Sequence, residues 1–238
     1  MEPTELISAV AAAIRDNLPL PPFPKDLTLT EAYGIQAEVV KLVSTNVPGG
    51  IKAGVTNRRA QAGLGLDHAL LGQLYTQGEH APGAVIRALP KLAIECEIGI
   101  TLGADGTPVA AGPAIELVRP DFSRPEDITA SNLVASNLAA NQFIKGRQQP
   151  WWENPADYDA VAIHLTRDGE LVASATLRDS LDGPVSALDW MIPQANMLGH
   201  NLSNAYLMTG TCGKVVPATP GHYIADYGLL GSLEFTIQ

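Results

Sequence analysis

Apolar and polar positions change period as the chain proceeds. Leu6, Ile7, Val10 and Ile14 recur at helical spacing within residues 4–17, which predicts a short amphipathic helix. Leu18 to Pro24 carries four prolines and reads as a helix stop followed by an extended connector. Thr28-Leu29-Thr30-Glu31 has the form of a capping box. It opens a second helix that carries Tyr33, Ile35, Gln36, Val39, Leu42 and Val43, and Pro48-Gly49-Gly50 ends it.

After residue 50 the texture becomes short apolar runs between Gly, Pro and Asp. Ile51 to Thr56 predicts a strand containing Lys52, and 57–75 reads as helix or loop past Gly63 and Gly65. Residues 92–102 and 107–118 form strands around Ala104-Asp105-Gly106, a hairpin turn signal. Asp127 to Lys145 is helical in composition, with Asp127 or Thr129 able to start it. A second hairpin joins 158–166 to 170–178, and Ser186 to Leu198 predicts a helix weakened by Pro193. Ala205–Thr209, Tyr223–Tyr227 and Ser232–Ile237 complete the strands. Many short strands with few helices imply an α+β domain built on a β-sheet roll or barrel over 51–238, behind a helical segment at 1–50. No repeat of solenoid period is present.

Composition narrows the class. The chain has 238 residues, 46% hydrophobic and 17% charged, enough for a substantial core and a weakly charged surface suited to oligomers. Its net charge of −10, without a basic cluster, argues against nucleic acid and anionic membrane surfaces as partners. Leu6 to Ile14 is too short to span a bilayer and lacks the pattern of a signal peptide. Two cysteines, Cys96 and Cys212, make no disulfide framework, so a reducing cytoplasm is the expected location.

Candidate chemistry concentrates in Ile94-Glu95-Cys96-Glu97-Ile98-Gly99-Ile100. In a strand, Glu95 and Glu97 project together from one face, with the apolar residues on the other. Such a pair suits either water or a cation. Glu116 lies in the apolar run Ala114-Ile115-Glu116-Leu117-Val118, where a lone charge is costly unless paired or metal-bound. Three oxygen donors would suit a hard divalent ion, Mg²⁺ or Mn²⁺. A half-exposed antiparallel strand shows the same alternation, and these residues alone support both readings. Lys52, in a glycine-bounded apolar strand, is either a surface lysine or an active-site ammonium facing the carboxylates.

Other motifs carry less. Gly63-Leu64-Gly65 lacks the strand–turn–helix context of a dinucleotide site, and Thr209 to Val215 lacks the spacing of a phosphate loop. The five histidines show no ligand spacing. Cys212 reads as a small buried thiol rather than a nucleophile, and Trp151-Trp152 as a loop anchor or as part of a lid or subunit contact.

Several stretches together resemble the 2-keto-4-pentenoate hydratases of the fumarylacetoacetate hydrolase-like superfamily. Gly50 to Thr56 resembles the family's Lys-x-Gly-Leu-Thr segment, Glu95-Cys96-Glu97 its Glu-x-Glu strand, and Ala114 to Val118 its Ala-Leu-Glu-Val-Val segment. Asn137 to Gly146 sits where the family has an Asn-rich helix. Leu207 to Thr211, Val216 to Gly221 and Leu230 to Phe235 match its C-terminal signatures in order. The resemblance implies a mixed β-sandwich roll of the fumarylacetoacetate hydrolase type, forming a homo-oligomer. It implies Mg²⁺ or Mn²⁺ on Glu95, Glu97 and Glu116, with Lys52 moving protons. Thr56, Thr209, Gly210 and Thr211 would contact the substrate.

The implied activity is that of a lyase, hydratase-like, on a small 2-oxo or 2-hydroxydienoic acid through a stabilised enolate. Decarboxylation of a 2-oxo dioic acid or C–C hydrolysis would use the same site, and a non-catalytic carboxylate-binding or structural role is the remaining alternative. The chain departs from the hydratases at certain points. Ala139-Ala140-Asn141 replaces Ser-x-Gly, and the acid expected after the Lys segment is absent, leaving only Asp67 and His68 nearby. The Gly103–Glu116 segment is short, and Asn204-Ala205 replaces Gly-Asp. These changes touch water handling and proton transfer and leave the acid trio intact.

Overall fold

The computed structural model describes residues 2–44 and 49–238; Pro48, expected to help close the second helix, lies outside them. Pro3 begins α1 (Pro3–Arg15), where its missing N–H costs nothing. Thr28 caps α2 (Leu29–Val43): its hydroxyl accepts the Glu31 N–H, and the Glu31 carboxylate accepts the Thr28 N–H at 2.9 Å. There follow β1 (Gly50–Gly54), α3 (Arg58–Gly63), β2 (Leu70–Leu74), β3 (Glu79–His80), β4 (Val85–Ile86), β5 (Ala93–Leu102) and β6 (Pro108–Val118). Next are α4 (Ala130–Ala135), β7 (Ala140–Lys145), β8 (Gln149–Pro150), β9 (Ala162–Arg167), β10 (Glu170–Thr176) and α5 (Pro184–Met197). β11 (Tyr206–Met208), β12 (Val216–Pro217), β13 (Gly221–Asp226) and β14 (Ser232–Ile237) end the chain.

The strands form two mixed sheets. One runs β2-β1-β11-β5-β6-β7-β3, with β12 also against β5 and β8 against β6; the other runs β10-β9-β13-β14-β4. Between them lies the main core, where Ile94, Ile98, Ile115 and Leu117 meet Ile163, Leu165, Leu233 and Phe235. Each such burial contributes about 1.5–3 kcal/mol relative to exposure. On the far side of the larger sheet, Leu6 and Val10 of α1 and Ile35 and Val39 of α2 pack with Leu70, Val134 and Leu138. Buried Gln36 ties this layer down, its amide donating to Leu71 O at 3.0 Å and to Val134 O at 3.1 Å. The expected α+β roll behind N-terminal helices is therefore present, as a helical layer, a large sheet, a core and a second sheet.

Local expectations diverge in two regions. Residues 57–75 contain a strand, β2, as well as α3. The helix expected over Asp127–Lys145 is only α4, capped by the Thr129 hydroxyl, which accepts the Asn132 N–H at 3.2 Å. Asn137, Leu138 and Ala139 all have positive φ, which stops the helix and turns the chain into β7. There Phe143 and Ile144 pair with Glu116 and Ile115, so sheet pairing overrides local helical preference. α5 runs through Pro193. Trp151 and Trp152 flank the Tyr158 ring at 4.6 and 4.2 Å and anchor their loop. Among the described residues no helix is long and apolar enough to cross a membrane.

Candidate metal and acid–base centre

The β5–β6 hairpin sets the site. Its antiparallel register places Glu95 opposite Glu116 and Glu97 opposite Ala114, so all three carboxylates leave the same face. One oxygen from each lies within 4.8 Å of the others. This face is not wet: Glu97 and Glu116 are both 0% exposed, and Glu95 is half-buried at the edge of a cavity. The alternation that fits a half-exposed strand is thus a strand covered on both faces. Lys52 arrives from β1, across β11, where it pairs with Met208, which in turn pairs with Gly99. It is 2% exposed. Its ammonium donates to Glu116 Oε1 at 2.5 Å and to Leu138 O at 3.2 Å.

Burial dominates the electrostatics. Desolvation raises the Glu95 carboxyl above its ordinary value and pushes Glu97 well above, the latter aided by the like charges of Glu116 and Glu95. Glu116 is raised to about 7, again by burial, against the pull of Lys52. For Lys52 burial alone would lower the value, but facing Glu116, Glu95 and Glu97 outweigh it and hold the ammonium above its usual range. Carboxylates raised in this way add stability that is fully present below their unfolded values and lost as pH rises through the folded ones. The metal-free protein is therefore expected to melt at lower temperature at pH 8 than at pH 5, and the Mg²⁺-induced rise in Tm to grow over the same interval. Calorimetry at the two pH values with and without Mg²⁺ checks this; a Tm independent of pH contradicts it.

Unpaired atoms show what the cluster fits. Glu97 Oε1 and Glu116 Oε2 are buried with no hydrogen-bond partner among the described residues. An orphaned buried acceptor costs about 1–3 kcal/mol, more for a charged one. Hard carboxylate oxygens with no thiol or imidazole among them fit a divalent cation of the Mg²⁺ or Mn²⁺ kind. Glu97 Oε2 instead accepts the Gly210 N–H at 2.7 Å. Gly210 has φ +92°, and a Cβ there would lie 2.3 Å from Thr56 Cγ2, so the position requires glycine. Cys96, on the opposite face of β5, is pushed up to about 12 by burial, and Cys212 is also raised well above its ordinary value by burial. Neither thiol is poised as a nucleophile.

A cavity of about 360 Å³ opens over the cluster, with Lys52, Glu95, Thr56, Thr211, Leu133 and Leu138 in its wall. Of the residues expected to contact substrate, Thr56 and Thr211 line it. Thr209 is 1% exposed and outside the lining; its carbonyl accepts the Ser180 hydroxyl at 2.7 Å. Gly210 also lies outside the lining, with its N–H committed to Glu97. Asp67 and His68 line a neighbouring cleft of about 650 Å³ that meets the cavity at Thr56 and Asn57. The Leu138 carbonyl has no signal in the sequence; the glycine between Thr209 and Thr211 is a faint one for the Glu97 contact.

No protein-family model matches the chain. The 2-keto-4-pentenoate hydratase 2 of Dechloromonas aromatica (strain RCB) is 27% identical over 249 residues, covering 93% of this chain and 91% of the relative. The chain is similar to the 2-keto-4-pentenoate hydratases over most of its length. Among solved structures, the 4-oxalocrotonate decarboxylase from Pseudomonas putida G7, complexed with magnesium and adipate, superposes with a TM-score of 0.88 at 20% identity, over 99% of this chain and 97% of that one. The fumarylpyruvate hydrolase from Pseudomonas aeruginosa, in complex with Mn²⁺ and pyruvate, gives 0.56 at 14% identity over 79% and 88%. The fold is that of the fumarylacetoacetate hydrolase type, with the N-terminal helices included in the closer of these two superpositions.

Proposed function

We propose that this chain is a divalent-metal-dependent lyase acting on a small 2-oxo or 2-hydroxydienoic acid through an enolate at C2. The observation that carries this reading is the convergence of Glu95, Glu97 and Glu116 within 4.8 Å, with the Lys52 ammonium 2.5 Å from Glu116. Glu95, Glu97 and Glu116 would hold Mg²⁺ or Mn²⁺, which when bound supplies Lewis-acid polarisation of the substrate's 2-oxo group. Lys52, buried against these carboxylates and open to the cavity, would move the proton at the substrate. Glu116 and Leu138 take two of its three N–H donors, leaving one for the substrate. Thr56 and Thr211 offer hydroxyls to the substrate carboxylate. Val118, Leu133, Leu138 and Val215 supply apolar wall that limits water.

The lining favours decarboxylation of a 2-oxo dioic acid within this reading. Among the described residues it contains no ionisable side chain apart from Lys52 and Glu95. Adding water across a conjugated double bond needs a base for the water's proton, and the lining offers none beyond a proposed metal ligand. Losing CO₂ needs an acceptor for the released electron pair, which passes along the conjugated chain to the C2 oxygen, and then one proton from Lys52. Hydration is the second reading, favoured by the hydratase relatives.

Incubation with Mg²⁺ or Mn²⁺ and either 2-oxohex-3-enedioate or 2-hydroxypenta-2,4-dienoate, followed by NMR, is expected to show CO₂ release from the dioic acid that EDTA stops. Hydration of the dienoate without CO₂ release reverses the order of the two readings. Turnover of neither acid with either metal removes the lyase reading.

A further inference from the structure

The turn between α4 and β7 is strained at an informative place. Asn137, Leu138 and Ala139 have φ of 55°, 52° and 58° in succession. Asn tolerates this left-handed region, whereas Leu and Ala avoid it, so surrounding structure must hold the turn. That hold is visible on Asn137, which is 0% exposed. Its Oδ1 accepts the Gln73 N–H at 2.8 Å, and its Nδ2 donates to the Gln73 carbonyl at 2.8 Å. Gln73 lies on β2, the edge of the large sheet, so the side-chain amide completes that edge as a further strand would. The adjacent residue, Gly72, is the cross-strand partner of Lys52.

The same turn delivers the Leu138 carbonyl to the Lys52 ammonium at 3.2 Å. Its far side is fixed by the Arg119 N–H, which donates to Ala139 O at 2.8 Å. The Leu138 side chain closes over glycines on both neighbouring strands: a Cβ on Gly54 would lie 2.8 Å from Leu138 Cδ1, and one on Gly72 would lie 3.3 Å from it. We propose that Asn137 is a positioning residue for the proposed reaction. Its clamp on Gln73 maintains the left-handed turn, which aims the Leu138 carbonyl so that the Lys52 ammonium is fixed between Leu138 O and Glu116 Oε1. The kinetic consequence rests on the lyase reading; the placement of the ammonium does not.

Asn137→Gly tests this, because glycine adopts positive φ freely while both hydrogen bonds to Gln73 are lost. The expected result is a kcat reduced about tenfold or more with KM changed less than about threefold. The Mg²⁺-induced rise in Tm stays as in the parent. The ¹⁵N ammonium resonance of Lys52, assigned by its absence in Lys52→Arg, moves or broadens. Asn137→Asp keeps the acceptor for the Gln73 N–H, loses the donor and gives an intermediate loss; it carries the test should the glycine variant not fold. Parental kcat with an unmoved Lys52 resonance overturns the proposal. So does a kcat loss matched by loss of the Mg²⁺ response with the resonance unmoved, the mark of general disruption. If the parent turns over no substrate, the lyase reading fails on its own, and the resonance still decides whether Asn137 positions Lys52.

Discussion

Glu97→Gln is expected to abolish the Mg²⁺-dependent rise in melting temperature and to lower kcat/KM by about 10³-fold, a transition-state loss of ~4 kcal/mol. The metal-free variant is expected to melt higher than the metal-free parent at pH 8. These opposite signs follow from one geometry. Glu97 is 0% exposed, faces Glu95 and Glu116, and has one oxygen without a partner. In the absence of a cation its charge meets desolvation and like-charge repulsion, which raise its carboxyl well above the ordinary value. Glutamine keeps the shape and an oxygen for the Gly210 N–H while removing the charge. The stability gained is about 1 kcal/mol or more, worth ~2–4 °C per kcal/mol in a chain of this size. A carboxylate placed only for folding would give the reverse pattern, with lower Tm and an intact Mg²⁺ response. Thermal scans of parent and variant with EDTA and with Mg²⁺ decide between them.

Lys52→Met is expected to cost about 10²–10⁴-fold in kcat through loss of the proposed proton-transfer group. It is also expected to destabilise the metal-free protein more at pH 8 than at pH 5, by up to ~1.4 kcal/mol, the linkage of one pH unit above the Glu116 value. Lys52 is the ammonium paired with Glu116, and both are buried. Burial raises the Glu116 carboxyl to about 7 even beside Lys52, so at pH 5 removing the lysine leaves no uncompensated charge on it. At pH 8 the parent keeps Glu116 ionised beside the ammonium, whereas the variant must take up a proton there to fold. Urea unfolding at the two pH values measures the difference. Equal losses at both would show that Lys52 contributes packing rather than charge.

Much of the acid cluster was legible in the chain because it depends on short-range rules. Strand alternation puts Glu95 and Glu97 on one face whatever the rest of the molecule does. A tight turn at Ala104-Asp105-Gly106 returns the next strand alongside, which brings Glu116 opposite Glu95. The capping box at Thr28 and the apolar spacing of α1 likewise act within a turn or two of helix. The helix expected over Asp127–Lys145 failed for the complementary reason. Its composition favours a helix, but β6 provides a partner for β7 that pairs Phe143 with Glu116.

The sequence by itself determined the alternating strands, the two N-terminal helices, the shared face of the acids and the order of motifs that resembles the hydratases. Tertiary structure decided that the acid face is buried rather than wet, because Lys52 of β1, the turn at Leu138 and the backbone at Gly210 close against it. It also decided the approach of Lys52. That side chain reaches Glu116, 64 positions along the chain, across β11 from near the other end of the sequence, and the parallel pairing of β1 with β11 has no local signature. The Gly210 contact to Glu97 and the Asn137 clamp on Gln73 belong with it. Each joins groups far apart in sequence through one or two hydrogen bonds, and which partners meet is set by how the sheets and helices pack.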